Sequence, residues 1–232
     1  MKLHFESILK ITMSTIMLSA ICAGCADKQE NAKISSMSED DMSNLPIVSV
    51  EASFVYDTED IRERVGISDY IFVGKIISYD GVRYENTVTI EDSNGKPVEV
   101  GSPYTDYTVQ VLENMKGSLI TDEPIKIVKE GGVSQAQDSV YVFENDEMPV
   151  TGNTYIFLGY AQQDGTILIS GPYSNVLIEE YEIMKENSSN SENISDIGDD
   201  IEIYQSYLGA VENEVIPVER ERYQSIYDVN AD

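Results

Sequence analysis

Tryptophan is absent from this sequence of 232 residues, cysteine occurs twice and histidine once. Both cysteines, Cys22 and Cys25, and the histidine, His4, lie close to the N-terminus. Beyond Cys25 the chain therefore has no disulfide partner, no histidine base and no histidine metal ligand. A Ser-His-Asp triad is excluded with the histidine. No Gly-Lys-Ser/Thr follows an apolar run, so a phosphate loop of the Walker type is missing too. Carboxylates abound, but nothing in the sequence pairs them as a two-carboxylate glycosidase requires. A serine–lysine dyad through Lys75 or Lys116 has no motif behind it. The chain is expected not to be an enzyme, and to use no cofactor and no metal.

Positive charge is also scarce. Fifteen Lys and Arg stand against 42 Asp and Glu, a formal charge of −27. So few cations cannot displace counterions from a phosphate backbone, so nucleic acid is not an expected partner. The balance suits solubility and cationic partners.

No apolar run reaches the roughly 20 residues that a membrane-spanning helix needs. The N-terminal run, Ile11 to Cys22, is shorter. It follows Lys2 and Lys10 and leads into Ala23-Gly24-Cys25. That is the three-part layout of an export signal. Its end resembles the lipobox of bacterial lipoproteins, with Cys22 where leucine is usual. The resemblance implies cleavage before Cys25 and acylation of the Cys25 thiol, which leaves no free nucleophile. Residues 1–24 are then a signal peptide. The remainder is expected at the extracytoplasmic face of the cell membrane, held by acyl chains that contribute about 0.8 kcal/mol per buried methylene.

Residues 25–53 are acidic and serine-rich around Ser35-Ser36 and Ser38-Glu39-Asp40-Asp41, and are expected to be a flexible tether with a short extended piece at Ile47–Val50. Residues 54–184 carry the folded domain. Thr58 is placed to cap a short helix ending near Val65, with Glu59 and Asp60 in its first turn. The longest apolar run of the domain, Tyr70 to Tyr79, then reads as a strand with apolar side chains on both faces. Gly74 in its middle marks a bend, a bulge or a close backbone approach. Asn94-Gly95 signals a hairpin. Tyr107, Val109 and Val111 alternate with polar residues, as Ile125 and Ile127 do around Lys126. Thr154–Tyr160 and Thr166–Ser170 flank the Asp164-Gly165 turn. Five to seven short strands with turns between them argue a mostly β domain, a small antiparallel barrel or sandwich.

Three stretches, Ser68–Ile76, Tyr107–Glu113 leading to Lys116-Gly117, and Gly152–Leu158, resemble the OB-type barrel of bacterial proteins related to tissue inhibitors of metalloproteinases and netrin modules. The resemblance implies an OB-like β-barrel with a short N-terminal helix. The eukaryotic inhibitors of that superfamily bind a catalytic zinc through a free N-terminal cysteine next to the barrel. An acylated Cys25 far ahead of the barrel cannot do so, and that activity is not expected here.

Residues 185–232 read as an acidic linker and a helical tail, with one helix near Asp200–Val211 and a second opened by Pro217 and running to about Tyr227. Fifteen tyrosines remain to be placed. Tyrosine joins apolar area to a polar tip and is favoured at interfaces. Tyr79, Tyr84, Tyr104 and Tyr173 sit near predicted strand ends or turns and are the candidate binding surface. The expected function is a lipid-anchored binding or interaction module of the bacterial cell envelope, taking a protein, peptide or glycan. The alternatives are an envelope hydrolase or protease modulator, and a structural lipoprotein with no small ligand.

Overall fold

The computed structural model describes residues 37–92, 94–181 and 198–231. They form nine strands and three helices: α1 (Glu39–Met42), β1 (Ile47–Val50), α2 (Ile61–Ile67), β2 (Tyr70–Glu91), β3 (Pro97–Lys116), β4 (Ile125–Glu130), β5 (Gly132–Val133), β6 (Val140–Phe143), β7 (Thr154–Ala161), β8 (Ile167–Ile169), β9 (Asn175–Ile178) and α3 (Gly198–Glu212).

Five strands close a barrel in the order β2-β3-β4-β8-β7, with β7 returning to β2. Only the β4–β8 contact is parallel. This is the OB-like arrangement expected. Its closure depends on β2, which pairs with β3 over its whole length and with β7 through Tyr70–Lys75. The pairing slips by one residue between Val73 and Gly74, where Leu112 of β3 is the extra residue of a bulge, and the two strands bend there. A Cβ on Gly74 would stand 2.6 Å from Val109 Cγ1, so the glycine also permits close approach inside the barrel.

The interior is filled by Phe72, Ile76, Tyr107, Val109, Ile125, Ile127, Tyr155, Phe157, Ile167 and Ile169. The rings of Phe72 and Phe157 stack at 5.3 Å. On the other side of the wall, Ile71, Val73, Ile156 and Leu158 lie beneath α2 and α3, against Val65, Tyr204, Tyr207 and Ala210. Each such fully buried aliphatic side chain contributes about 1.5–3 kcal/mol. The first half of β2 is thus apolar on both faces because both faces are covered.

Three expectations about the entry to the domain are corrected. The helix before β2 begins at Asp60, whose carboxylate accepts the Arg62 N–H at 2.9 Å. Thr58 is instead in a turn that Asp57 holds by accepting the Glu59 N–H. The helix runs on through Gly66 to Ile67 rather than ending near Val65, and the Val215 carbonyl passes so close that a Cβ on Gly66 would sit 1.9 Å from it. The tether is partly built into the domain: β1 pairs in parallel with β6, and Met42 is buried against Val133 and Val140. Residues 25–36 lie outside the described residues.

The tail is not a solvated appendage. Helix α3 covers β2 and β7 as stated, and residues 213–231 follow as an extended strap rather than a second helix. Arg220 and Arg222 alternate along it, and both pair with Asp69, at 2.6 and 2.9 Å. They also donate to the carbonyls of Gly66 and Ile67, which the end of α2 leaves open. Such i, i+2 spacing puts both guanidinium groups on one side of extended chain, which a helix would not. Further on, the Ser225 N–H donates to the Tyr70 hydroxyl at 2.9 Å, and that hydroxyl donates to Asp228 at 2.8 Å.

Candidate functional site

Beyond the barrel wall β2 and β3 continue as a two-stranded ribbon. Cross-strand pairs Arg83–Tyr104, Glu85–Ser102, Val88–Val100 and Ile90–Val98 succeed one another on one face of it. The last bulge along β2, between Glu85 and Val88, includes Asn86 at a φ of 52° and sets where the ribbon leaves the barrel. The hairpin tip is closed by Asp92, whose carboxylate accepts the N–H groups of Asn94 and Lys96.

Where the ribbon meets the barrel's outer face, a cleft of about 570 Å³ opens. Its floor is Val128 of β4 and Leu168 of β8, paired across the parallel contact. Its walls are Arg83, Glu85 and Tyr104 on one side and the β7–β8 turn, Gln162, Gln163, Asp164 and Thr166, on the other. The turn is fixed from both directions. Gln162 N–H donates to the Thr166 carbonyl at 2.9 Å, and the strap presses on it through Ser225 and Ile226, which both donate to the Gly165 carbonyl. A Cβ at Gly165 would lie 2.4 Å from Ile226, and its φ of 82° suits glycine.

The cleft mixes charges without a net cation. Arg83 is held by Glu85 and Asp106; burial works against its charge, and the hydrogen bonds to those carboxylates outweigh it. The Thr166 hydroxyl and N–H hold the Asp164 carboxyl below its ordinary range. Tyr104 is pushed up to about 12, by burial first and then by the charges of Glu130 and Glu85. At neutral pH the site therefore offers carboxylates that accept, a guanidinium and amides that donate, and a neutral phenol that does both beside an aromatic face.

Of the four tyrosines expected to form a surface, only Tyr104 lines this cleft. Alternation along the strands separates the rest. Tyr79 pairs with Tyr107 and packs edge-on against it at 5.9 Å, with its hydroxyl buried. Tyr84 pairs with Pro103, on the ribbon face opposite Tyr104, and its hydroxyl donates to the Ser134 carbonyl at 3.1 Å. Tyr173 sits in the loop before β9, with the Arg64 guanidinium 4.5 Å from its ring centre. Cys25 lies outside the described residues. The cleft's Gln162, Gln163, Asp164 and Thr166 were visible in the sequence only as a turn.

One group of reactive side chains lies elsewhere. The Lys129 amine donates to Asp146 and to the Ser174 hydroxyl, which donates in turn to Asp146 at 3.0 Å. Burial pushes this amine below its ordinary value against the opposing charge of Asp146. Both members of the ion pair are 0 % exposed. A substrate has no access to them, and they serve to tie β4 to the loops before β7 and β9. Of the two lysines named for a dyad, Lys75 is exposed on β2, and Lys116 bonds the Val65 carbonyl and Glu214.

Comparisons of the chain with protein-family models and with curated proteins find no match.

Proposed function

We propose that this protein is a lipid-anchored binding module at the extracytoplasmic face of a bacterial cell membrane, and that its cleft takes a glycan of the envelope. The observation that carries the reading is the composition of the cleft: six hydrogen-bonding side chains and one tyrosine around a small apolar floor, on the outer face of an OB-like barrel. OB-folds use that strand face and the neighbouring loops for oligonucleotides and oligosaccharides. A chain of charge −27 is poorly suited to the first. Sugar hydroxyls, which donate and accept, match paired carboxylate, guanidinium and amide groups, and an aromatic ring beside them supplies an apolar face. The anchor rests on the lipobox-like Ala23-Gly24-Cys25.

The test is titration of the full-length protein, purified in detergent, with solubilised envelope glycan fragments. Saturable binding that weakens at least about tenfold in Tyr104→Ala, roughly the loss of one or two good hydrogen bonds, supports the reading. Equal binding by that variant, or turnover of the fragments, would overturn it. The anchor is tested separately by fractionation. Cys25→Ala should leave the membrane fraction, and a variant that stays there would remove the acylation claim.

A further inference from the structure

The ribbon carries a second recess that the glycan reading does not use. Between the ribbon and the small sheet β1-β6-β5 runs a groove of about 820 Å³. Val88, Ile90 and Val98 stand on its ribbon side, 58 %, 49 % and 42 % exposed, and Val50 and Tyr141 face it from the sheet. An unsupported two-stranded ribbon is marginally stable in water, so an exposed apolar stripe along it is uneconomical unless something covers it.

Three observations say what would cover it. First, β3 has a free edge there. Strand β4 pairs with it only from Tyr104 onward, and among the described residues Pro97 to Pro103 have β2 as their only strand partner. Alternation gives the direction of the backbone groups. The Gly101 N–H donates away from β2, to the Gln135 side chain at 3.2 Å, and the Pro103 carbonyl accepts from the Gly131 N–H at 3.0 Å. Glu99, of the same parity, therefore turns its N–H and C=O to the open edge, and among the described residues neither has a hydrogen bond outside the ribbon. Second, Gln135 already imitates an added strand by bonding Gly101 with its amide oxygen. Third, the charged residues lining the groove are Glu99, Glu130 and Asp138, all acidic.

We propose that this groove binds an extended, positively charged protein segment, which adds as a strand to the free edge of β3. Its backbone bonds Glu99, its apolar side chains cover Val98 and Val100, and its cations meet Glu99, Glu130 and Asp138. This is β-strand addition, with main-chain bonds giving affinity and alternate side chains giving specificity.

The test uses the full-length protein in detergent and a short peptide of alternating lysine and valine, with alternating glutamate and valine as its control. The lysine peptide should bind and weaken as salt rises. Binding should protect the Glu99 amide from hydrogen exchange. The exposed substitution Ile90→Lys should reduce affinity at least about tenfold, a loss of about 1.4 kcal/mol, at unchanged melting temperature. Gln163→Ala, in the far wall of the glycan cleft and outside the groove, should leave the peptide affinity as it is, which separates the two sites. Equal binding of the glutamate peptide, or full affinity in Ile90→Lys, would overturn the proposal. So would self-association of the protein that Ile90→Lys abolishes, because the groove's occupant would then be a second copy of the chain.

Discussion

The two halves of β2 are one unbroken strand in opposite surroundings. From Tyr70 to Gly74 it is hydrogen-bonded on both edges and covered on both faces, by the barrel interior on one side and by α2 and α3 on the other. From Glu85 to Glu91 it has one partner strand, and its apolar residues are exposed. The same β-branched chemistry serves the core in the first half and lines an open groove in the second. Two of the β2–β3 register shifts mark the change: the one at Gly74, opposite the extra residue Leu112 of β3, lies where the strands bend around the barrel, and the last, at Asn86, releases the ribbon from it. Substitutions should therefore be costly in the proximal half and nearly silent for stability in the distal half.

The largest effect is expected inside the barrel wall. Asp146→Ala leaves the Lys129 amine buried without its counter-charge and should destabilise by about 3–5 kcal/mol, measured by denaturant unfolding. Replacing both members with apolar residues should restore most of that loss, since the pair itself is a poor stabiliser once desolvation is counted. If the single variant melts like the parent, the sealed ion pair is not what ties these loops to β4.

Gly74→Val comes next. The added atoms meet Val109, Phe72 and Phe157, and overpacking of this kind costs about 1–3 kcal/mol. A wild-type melting curve would show that the bend does not depend on the glycine.

Tyr70→Phe should cost about 1–3 kcal/mol by leaving the Ser225 N–H and Asp228 without their shared partner. It also carries a pH signature. The Tyr70 hydroxyl is pushed up to about 12, mainly by burial and, less strongly, by Asp228. A phenol raised in the folded state contributes stability that is complete below its ordinary value near 10 and is lost as pH rises through about 12. Unfolding curves should show this alkaline loss, smaller in Tyr70→Phe. An identical pH dependence in both proteins would detach the strap from Tyr70.

The smallest effect is in the distal half. Val88→Thr should change stability by no more than about 0.5 kcal/mol, as for exposed positions in general. A larger loss would mean that the ribbon is part of the folded core.

How much of this was legible depends on whether pattern or distance decides a residue's place. Periodicity is local, so the alternation of Tyr107, Val109 and Val111, the Asn94-Gly95 turn and the doubly apolar Tyr70–Val73 led directly to strands, while their order in the barrel did not follow from pattern. The parity of Ile125 and Ile127 also points Lys129 inward, a signal that its charge obscured. The strap was not legible. Arg220 and Arg222 take their conformation from Asp69 and from the open carbonyls of α2, more than 150 positions away. The cleft was only partly so: Tyr104 was a candidate, but its partners come from a turn that β7 and β8 bring alongside.

Hydrogen–deuterium exchange with and without solubilised envelope glycan fragments tests the central claim most directly. The account predicts added protection at Arg83–Glu85 and across Gln162–Thr166, with Tyr70–Ile76 unchanged because that half of β2 is already sealed. Protection spread over the barrel, or none at the Gln162–Thr166 turn, would contradict it.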